Sequence, residues 1–369
     1  MKNQKLSIFL TVLALLVVAV PTVGAVPHAH AQPATSSVYT MTNDPSGNQV
    51  VVYARSADGS LTWVANVATN GLGINGLAGS NQGGLVLSSD GRWLFAVNAG
   101  SNDLSVFRVT SNSLSLTDKQ SSAGVMPVSV TVNGNRVYVL NAGTTEIAGN
   151  IAGFYLSSAG QLSPIPESVQ PLSGIATVAE ISFNPTGTII AVTEKSTSLI
   201  DIYTVNSQGV ASGPTTNTSS GSTPFGFVFD QRGQLLVSEA PGSAASSYSV
   251  SPTGVLTTIS GSIANGQAAA CWLVATGNSR YAYTANAHNH TISSYSISSD
   301  GTLTLLKPVA ADTGATDLDM AFTGNSHFLY VFVHGSNSIE GFSVNHDGSL
   351  ELVTTVTGVP ATADGLAAI

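Results

Sequence analysis

The side chains in this sequence best suited to chemistry are the glutamates Glu180, Glu194 and Glu239, the aspartates Asp44 and Asp319, and the histidines His288, His290 and His334. Neighbouring carboxylates share protons unevenly, so one of them can be held with a raised pKa and act as a base towards water. The same oxygens could hold Ca²⁺, which prefers several oxygen ligands. Sequence leaves these two open, and no metal or cofactor is assigned. His288 and His290 stand one residue apart in TANAHNHTISSY. A short turn can present both rings, but no third histidine or cysteine can be placed beside them, His334 being the nearest candidate. A phosphate loop, a G-x-S-x-G elbow, H-E-x-x-H and C-x-x-C are all absent, which removes the common nucleophile and zinc arrangements.

Internal repetition must position these residues, and such repeats decide a fold before any local signal does. LFAVNAGSNDLSVFRVTSNSLSLT from Leu94 is echoed by YAYTANAHNHTISSYSISSDGTLTLL from Tyr281 and LYVFVHGSNSIEGFSVNHDGSLELV from Leu329. Weaker copies start at Val137, Ile189 and Leu235, and another at Tyr39. The seven are spaced by roughly 43 to 55 residues, a period that suits propeller blades with loops. Each contains three alternating segments rich in Val, Ile, Tyr and Phe, divided by turns such as Asp58-Gly59 and Asp300-Gly301, which are strand and hairpin signals. A fourth strand precedes every copy except the first, and DGLAAI, residues 364–369, can supply that one. The expectation is an all-β chain: one seven-bladed β-propeller of four-stranded blades over residues 38–369. Its ring closes by the C-terminal strand pairing in the N-terminal blade, which also hides sheet edges.

Aligned on the third-strand aromatics Tyr53, Phe107, Tyr155, Tyr203, Tyr248, Tyr295 and Phe342, the second strands end at Asp44, Asn98, Asn141, Glu194, Glu239, Asn286 and Val333. Those ends face the mouth of the central channel, so six blades offer a carboxylate or amide to one rim. Asn and Asp also end strands simply by bonding nearby backbone, an explanation that fits Glu194 and Glu239 less well. Near the start of the innermost strands lie Glu180, Trp272 and Asp319, on the same side. Arg92, Arg136, Arg232 and Arg280 fall in first-to-second-strand turns on the opposite face, which leaves Lys195 as the basic residue placed at the mouth.

With 43% hydrophobic and 8% charged residues, the chain has the reverse of a disordered composition. Lys2 and Lys5, the apolar run LSIFLTVLALLVVAV and then Ala29-His30-Ala31 read as a cleaved signal peptide over residues 1–31, followed by a linker at 32–37. The apolar run is shorter than the roughly 20 residues needed to span a bilayer. The expected location is therefore secreted or periplasmic, with no membrane association after cleavage. Cys271 is the single cysteine, so no intramolecular disulfide can form. A net charge of −9 without a basic cluster argues against nucleic acid as a partner, and a monomer is expected.

The repeat, with its strand ending in Asn, its Phe/Tyr strand and its D-G-x-L hairpin, resembles the seven-bladed lactonase propellers, which include 6-phosphogluconolactonases and fungal carboxymuconate cyclases. The resemblance implies the same fold and a glutamate after the second strand of the fourth blade, matched by Glu194 in AVTEKS. The family's Arg-His pair before that blade's inner strand reads Ala179-Glu180 here, and its His-Pro-His-like turn reads Met126-Pro127-Val128. These departures, and a mouth without arginine, point away from phosphorylated or polycarboxylate substrates, which arginine forks usually hold. Two readings follow. In the first, a lactonase-like hydrolase or cyclase opens a neutral or weakly charged cyclic ester, with Glu194, Glu180, Glu239 and His288 catalytic. Asp44, Asn98, Asn141, Lys195, Trp272, Asn286, His290, Asp319 and His334 then bind a lactone or sugar-like ligand. In the second, a non-catalytic propeller binds a small molecule, glycan or protein on its rim.

Overall fold

The second strand of each repeat is a nearly unbroken apolar run because both of its faces are covered by neighbouring sheets. Trp93–Asn98 and Ile189–Glu194 are buried at every position. The outermost strands are instead open to solvent along much of their length, as in Leu61–Ala68 and Leu350–Thr357, where Thr62 and Glu351 are exposed together with Trp63, Val64, Leu352 and Val353. The computed structural model describes residues 36–75, 82–110 and 113–369. The leader expected at 1–31 lies outside the described residues. The described residues all belong to one compact unit, Ala34–Ile369.

These strands form seven antiparallel sheets, the blades of a propeller. The inner strands are, in ring order, Asp364–Ala368, Leu85–Leu87, Pro127–Asn133, Val178–Phe183, Pro224–Phe229, Ala270–Ala275 and Asp317–Phe322, and each packs against the next until the last meets the first. Blade 1 takes its inner strand from the C-terminus: Asp364–Ala368 pairs with Ser37–Met41. Thr40 Oγ1 donates to the Gly365 carbonyl at 2.7 Å, and the Ile369 N–H to the Ser37 carbonyl at 2.9 Å. Blade 3 departs from four strands, because Gln170–Pro171 in its long outer connection also pairs with the third strand Asn150–Leu156. Among the described residues no helix is long and apolar enough to cross a membrane.

Two local devices set the geometry of the faces. Tyrosines on second strands clasp the following blade: the Tyr138, Tyr283 and Tyr330 hydroxyls donate to the carbonyls of Gly209, Gly348 and Gly59 at 2.7, 2.8 and 2.7 Å. Each acceptor sits in a third-to-fourth-strand turn. Gly348 adopts φ +80°, and a Cβ there would strike the Tyr281 ring, so the turn needs glycine for both conformation and approach. The second device is an irregularity near the start of the inner strands, between Pro127 and Ser129, Val178 and Ile181, Pro224 and Phe227, Ala270 and Trp272, and Asp317 and Met320. A bulge re-aims the side chains within it, and here those include Glu180, Phe225, Cys271 and Asp319.

Candidate active site

In blades 2 to 6 the second strands end in buried polar side chains that bond to chain from the previous blade. Asn98, Asn141, Glu194, Glu239 and Asn286 are all completely buried. Asn141 Nδ2 donates to the Ser122 carbonyl on the incoming loop at 3.0 Å and to Asn150 Oδ1 on the third strand at 2.9 Å. Asn286 accepts from Asn265 Nδ2 at 2.8 Å and donates to Ser293 Oγ at 2.8 Å. Asn98 accepts from Asn48 Nδ2 at 3.0 Å and donates to Asp103 and Ser105 at 2.7 and 2.9 Å.

Glutamate fills the same place where the partners are donors rather than carbonyls. Glu194 accepts from the Ser173 N–H and hydroxyl at 3.1 and 2.6 Å and from the Thr197 hydroxyl at 2.6 Å. Glu239 accepts from the Gly221 N–H at 2.8 Å, from Ser246 Oγ at 2.5 Å and from Ser262 Oγ. Beside Glu194 lies Asp201, fully buried, its carboxyl pushed up by burial and by the Glu194 charge. Blade 7 breaks the pattern. Val333 takes the strand end, and Asp317 lies opposite it on the inner strand, pushed up to about 7 by burial and then by the charges of Glu340 and Asp312.

Glu180 and Asp319 lie deeper, around the axis. Gln82, just before the inner strand of blade 2, reaches across: its Nε2 donates to Glu180 Oε1 at 3.3 Å, to the Phe227 carbonyl at 3.1 Å and to the Leu273 carbonyl at 2.8 Å. Its Oε1 accepts the Leu273 N–H at 2.9 Å. One side chain thus ties blade 2 to blades 4, 5 and 6. Gly226 leaves the space, since a Cβ there would collide with the Gln82 amide oxygen. Glu180 also accepts the Phe227 N–H at 2.6 Å, and Asp319 those of Met320 and Leu366 at 2.8 and 3.0 Å. Burial raises both carboxyls well above their usual range, Asp319 adding to the effect on Glu180 and Asp364 to that on Asp319.

Among the described residues, one accessible space on this face is a cleft of about 520 Å³ between blades 3 and 4. Met126, Val128, Ile175 and Val178 form its apolar walls, Thr144 and Thr177 add hydroxyls, and Lys195 is the one ionisable side chain in its lining. The Lys195 ammonium sits 4.6 Å from the centroid of the Phe225 ring, and Phe225 in turn packs on Trp272 at 5.3 Å. Such a cation over a ring face is electrostatically favourable. Burial pushes Lys195 down to about 8, opposed by the nearby Cys271, whose thiol burial pushes up to about 12.

The remaining candidates are dispersed. Among the described residues no hydrogen bond joins any two of Glu180, Glu194, Glu239 and His288. His288 is exposed. His290 holds a left-handed turn position, φ 61°, which Asn102, Ser198, Ser243 and Asn337 occupy in other blades. Asp44 accepts from the Ser46 N–H and hydroxyl at 2.8 and 2.7 Å, which hold its carboxyl below the usual range. His334 stands edge-on to Phe332. No group of three or more His, Cys, Asp or Glu side chains among the described residues is arranged to hold a metal ion. Sequence reasoning missed Gln82, Phe225 and Asp201. Gly226, flanked by two phenylalanines in an inner strand, was the available sign that something approaches the axis there.

A family model described as "Lactonase, 7-bladed beta-propeller" matches residues 27–150 and 273–362. No curated protein sequence matches the chain closely. Among solved structures, a Bacteroides fragilis protein assigned as a 6-phosphogluconolactonase is 16% identical with a TM-score of 0.72, over 91% of this chain and 99% of its own. The Pseudomonas aeruginosa periplasmic gluconolactonase is 17% identical with a TM-score of 0.71, over 89% and 98%. A virginiamycin B lyase from Staphylococcus aureus is 15% identical with a TM-score of 0.54, over 79% and 90%. At these identities structural likeness speaks to fold alone. The sequence match, spanning more than half of the chain and agreeing with seven observed blades, makes this protein a member of the seven-bladed lactonase β-propeller family.

Proposed function

We propose that the protein is a secreted or periplasmic hydrolase that binds a small, neutral cyclic ester in the cleft between blades 3 and 4 and opens it with water. The observation that carries this reading is Lys195, the one ionisable group on an otherwise apolar and hydroxyl-bearing wall. Withdrawn from water and brought down to about 8, it retains a neutral fraction able to act as a base near neutral pH. The amine takes a proton from water as the water oxygen bonds to the lactone carbonyl carbon. The ring C–O bond then breaks, and the ammonium returns the proton to the leaving alkoxide, giving a hydroxy acid. Glu194 is a positioning residue in this scheme: it holds Ser173 and Thr197, and so fixes the two loops that flank Lys195. Likeness to a periplasmic gluconolactonase supports a sugar-derived lactone and a periplasmic location. A cleft lined by one amine and no guanidinium supports a substrate without phosphate.

The test is a lactone panel followed by pH-stat. The wild-type rate should rise with pH through about 8, and Lys195→Met should lower kcat by roughly 10²- to 10⁴-fold. An unimpaired variant, or no lactone opened faster than in buffer, ends the hydrolase reading. The second reading, a propeller that binds without turnover, is favoured by the withdrawal of Glu180, Glu194 and Glu239 behind protein hydrogen bonds. Saturable lactone binding with no product distinguishes it.

A further inference from the structure

Arginines occupy the turn between first and second strands in four blades, but they do not bond alike. Arg92 pairs with Asp90 at 2.6 Å and Arg232 with Asp230 at 3.0 Å, each acid two residues earlier. Arg136 donates to the Ser207 carbonyl at 2.9 Å. In blade 6 the acid is replaced by Asn278, whose Oδ1 is taken by the Arg280 backbone N–H at 3.1 Å. The Arg280 guanidinium therefore has no carboxylate or carbonyl partner among the described residues. Its one hydrogen bond is a long contact, 3.4 Å, from Nη2 to the Tyr281 hydroxyl, and its carbon lies 5.4 Å from the centroid of that ring.

The ring beneath it is fixed. The Tyr281 hydroxyl donates to the His346 carbonyl at 2.9 Å, and a Cβ on Gly348 would touch the ring. Arg280 opens onto a cavity of about 320 Å³ between blades 6 and 7, on the face opposite the cleft, and its lining adds His327, His346 and Asn345 but no acidic side chain. Asn325 Nδ2 lies 3.2 Å from His327 Nδ1, which makes Nδ1 the acceptor and leaves the neutral ring's proton on Nε2. The adjacent acid, Asp347, is turned to the Ser349 N–H and hydroxyl at 2.9 and 2.6 Å. A planar donor without an acidic partner, held against an aromatic beside two imidazoles in a lining without carboxylates, in a chain of net charge −9, suits a planar or tetrahedral oxyanion.

We infer that this groove is a second ligand site, separate from the proposed lactone cleft, which takes a small molecule through a phosphate or carboxylate group. Isothermal titration of the protein with inorganic phosphate and, separately, with citrate tests it. At least one anion should bind saturably, and Arg280→Gln should weaken that binding roughly ten- to hundredfold, the range for losing charge-assisted hydrogen bonds. Arg92→Gln, in the corresponding groove of about 470 Å³ between blades 2 and 3, should leave it unchanged, since that guanidinium is already paired with Asp90. Thermal melts of both variants show whether they are folded. No saturable binding of either anion, equal affinity in folded Arg280→Gln and wild type, or equal weakening by Arg92→Gln would overturn the inference. Preference between the two anions assigns the ligand's headgroup.

Discussion

Glu194 separates a structural weld from a catalytic base. Replacing it with Ala removes the acceptor of the Ser173 and Thr197 hydroxyls and one of two acceptors of the Ser173 N–H, whose other bond, to Asp201 Oδ2 at 3.0 Å, survives. Both hydroxyls belong to solvent-exposed residues and can turn to water, so each loss costs about 1 kcal/mol. Adding the space left by a fully buried side chain, Glu194→Ala should lower stability by about 2–4 kcal/mol. Gln keeps the shape and one acceptor, and hydroxyls can reverse their sense, accepting from the new amide instead of donating. It also removes the charge that helps to raise Asp201. Glu194→Gln should therefore stay within about 1 kcal/mol of wild type, and lactone hydrolysis should change by no more than about threefold if the residue only positions its neighbours. Urea unfolding at pH 7 reads the first and pH-stat the second. A folded Glu194→Gln protein that loses roughly 10²-fold or more in kcat would make Glu194 the base and refute the assignment to Lys195.

Two other perturbations address the axis. Gln82→Ala leaves the Phe227 and Leu273 carbonyls and the Leu273 N–H without their partner; at about 1–3 kcal/mol for each buried orphan, less where water enters, urea unfolding should show a loss of about 3–5 kcal/mol, and a loss below 1 would mean that Gln82 is no brace. Asp319 has a folded pKa raised above its unfolded value of 3.8, mainly by burial. The folded chain then holds more protons than the unfolded one, and this contribution to stability is complete below about pH 4 and fades as pH rises towards the folded pKa. Tm measured from pH 4.5 to 8 should fall more steeply with pH in wild type than in Asp319→Asn, whose baseline is lower because an amide nitrogen cannot accept the Leu366 N–H; parallel slopes would contradict the raised pKa.

The blades were legible in the sequence because a propeller repeats its chemistry. Alternation, Asp-Gly turns and the second-strand apolar runs recur, and DGLAAI stood out as a strand lacking a blade. What the strand-end residues do was less legible. Asn141 and Glu194 occupy one geometric place, but their partners, a carbonyl at Ser122 and donors at Ser173 and Thr197, lie on loops whose path no local pattern encodes. The cleft was hidden for a related reason: its walls at Thr144 and Ile175 come from connections particular to blades 3 and 4, with no counterpart in the repeat. Gln82 acts on residues 98 to 191 positions away, beyond any window of pattern reading. The lone Arg280, by contrast, was visible in principle, since Asp90-Gly-Arg92 and Asp230-Gln-Arg232 set a spacing that Asn278-Ser-Arg280 breaks.

The pairing of Asp364–Ala368 with Ser37–Met41 places residue 37 and residue 369 within one hydrogen bond of each other. A ring so joined has no intrinsic starting point. The junction could be sealed by a short linker and the chain reopened in the loop between Thr218 and Pro224, the boundary of blades 4 and 5, with every blade then continuous in sequence. Such a permuted chain would exchange a seam made of two distant segments for one between whole blades. Comparing its refolding rate with that of the natural order would measure how much of the folding barrier is the search of the last strand for the first.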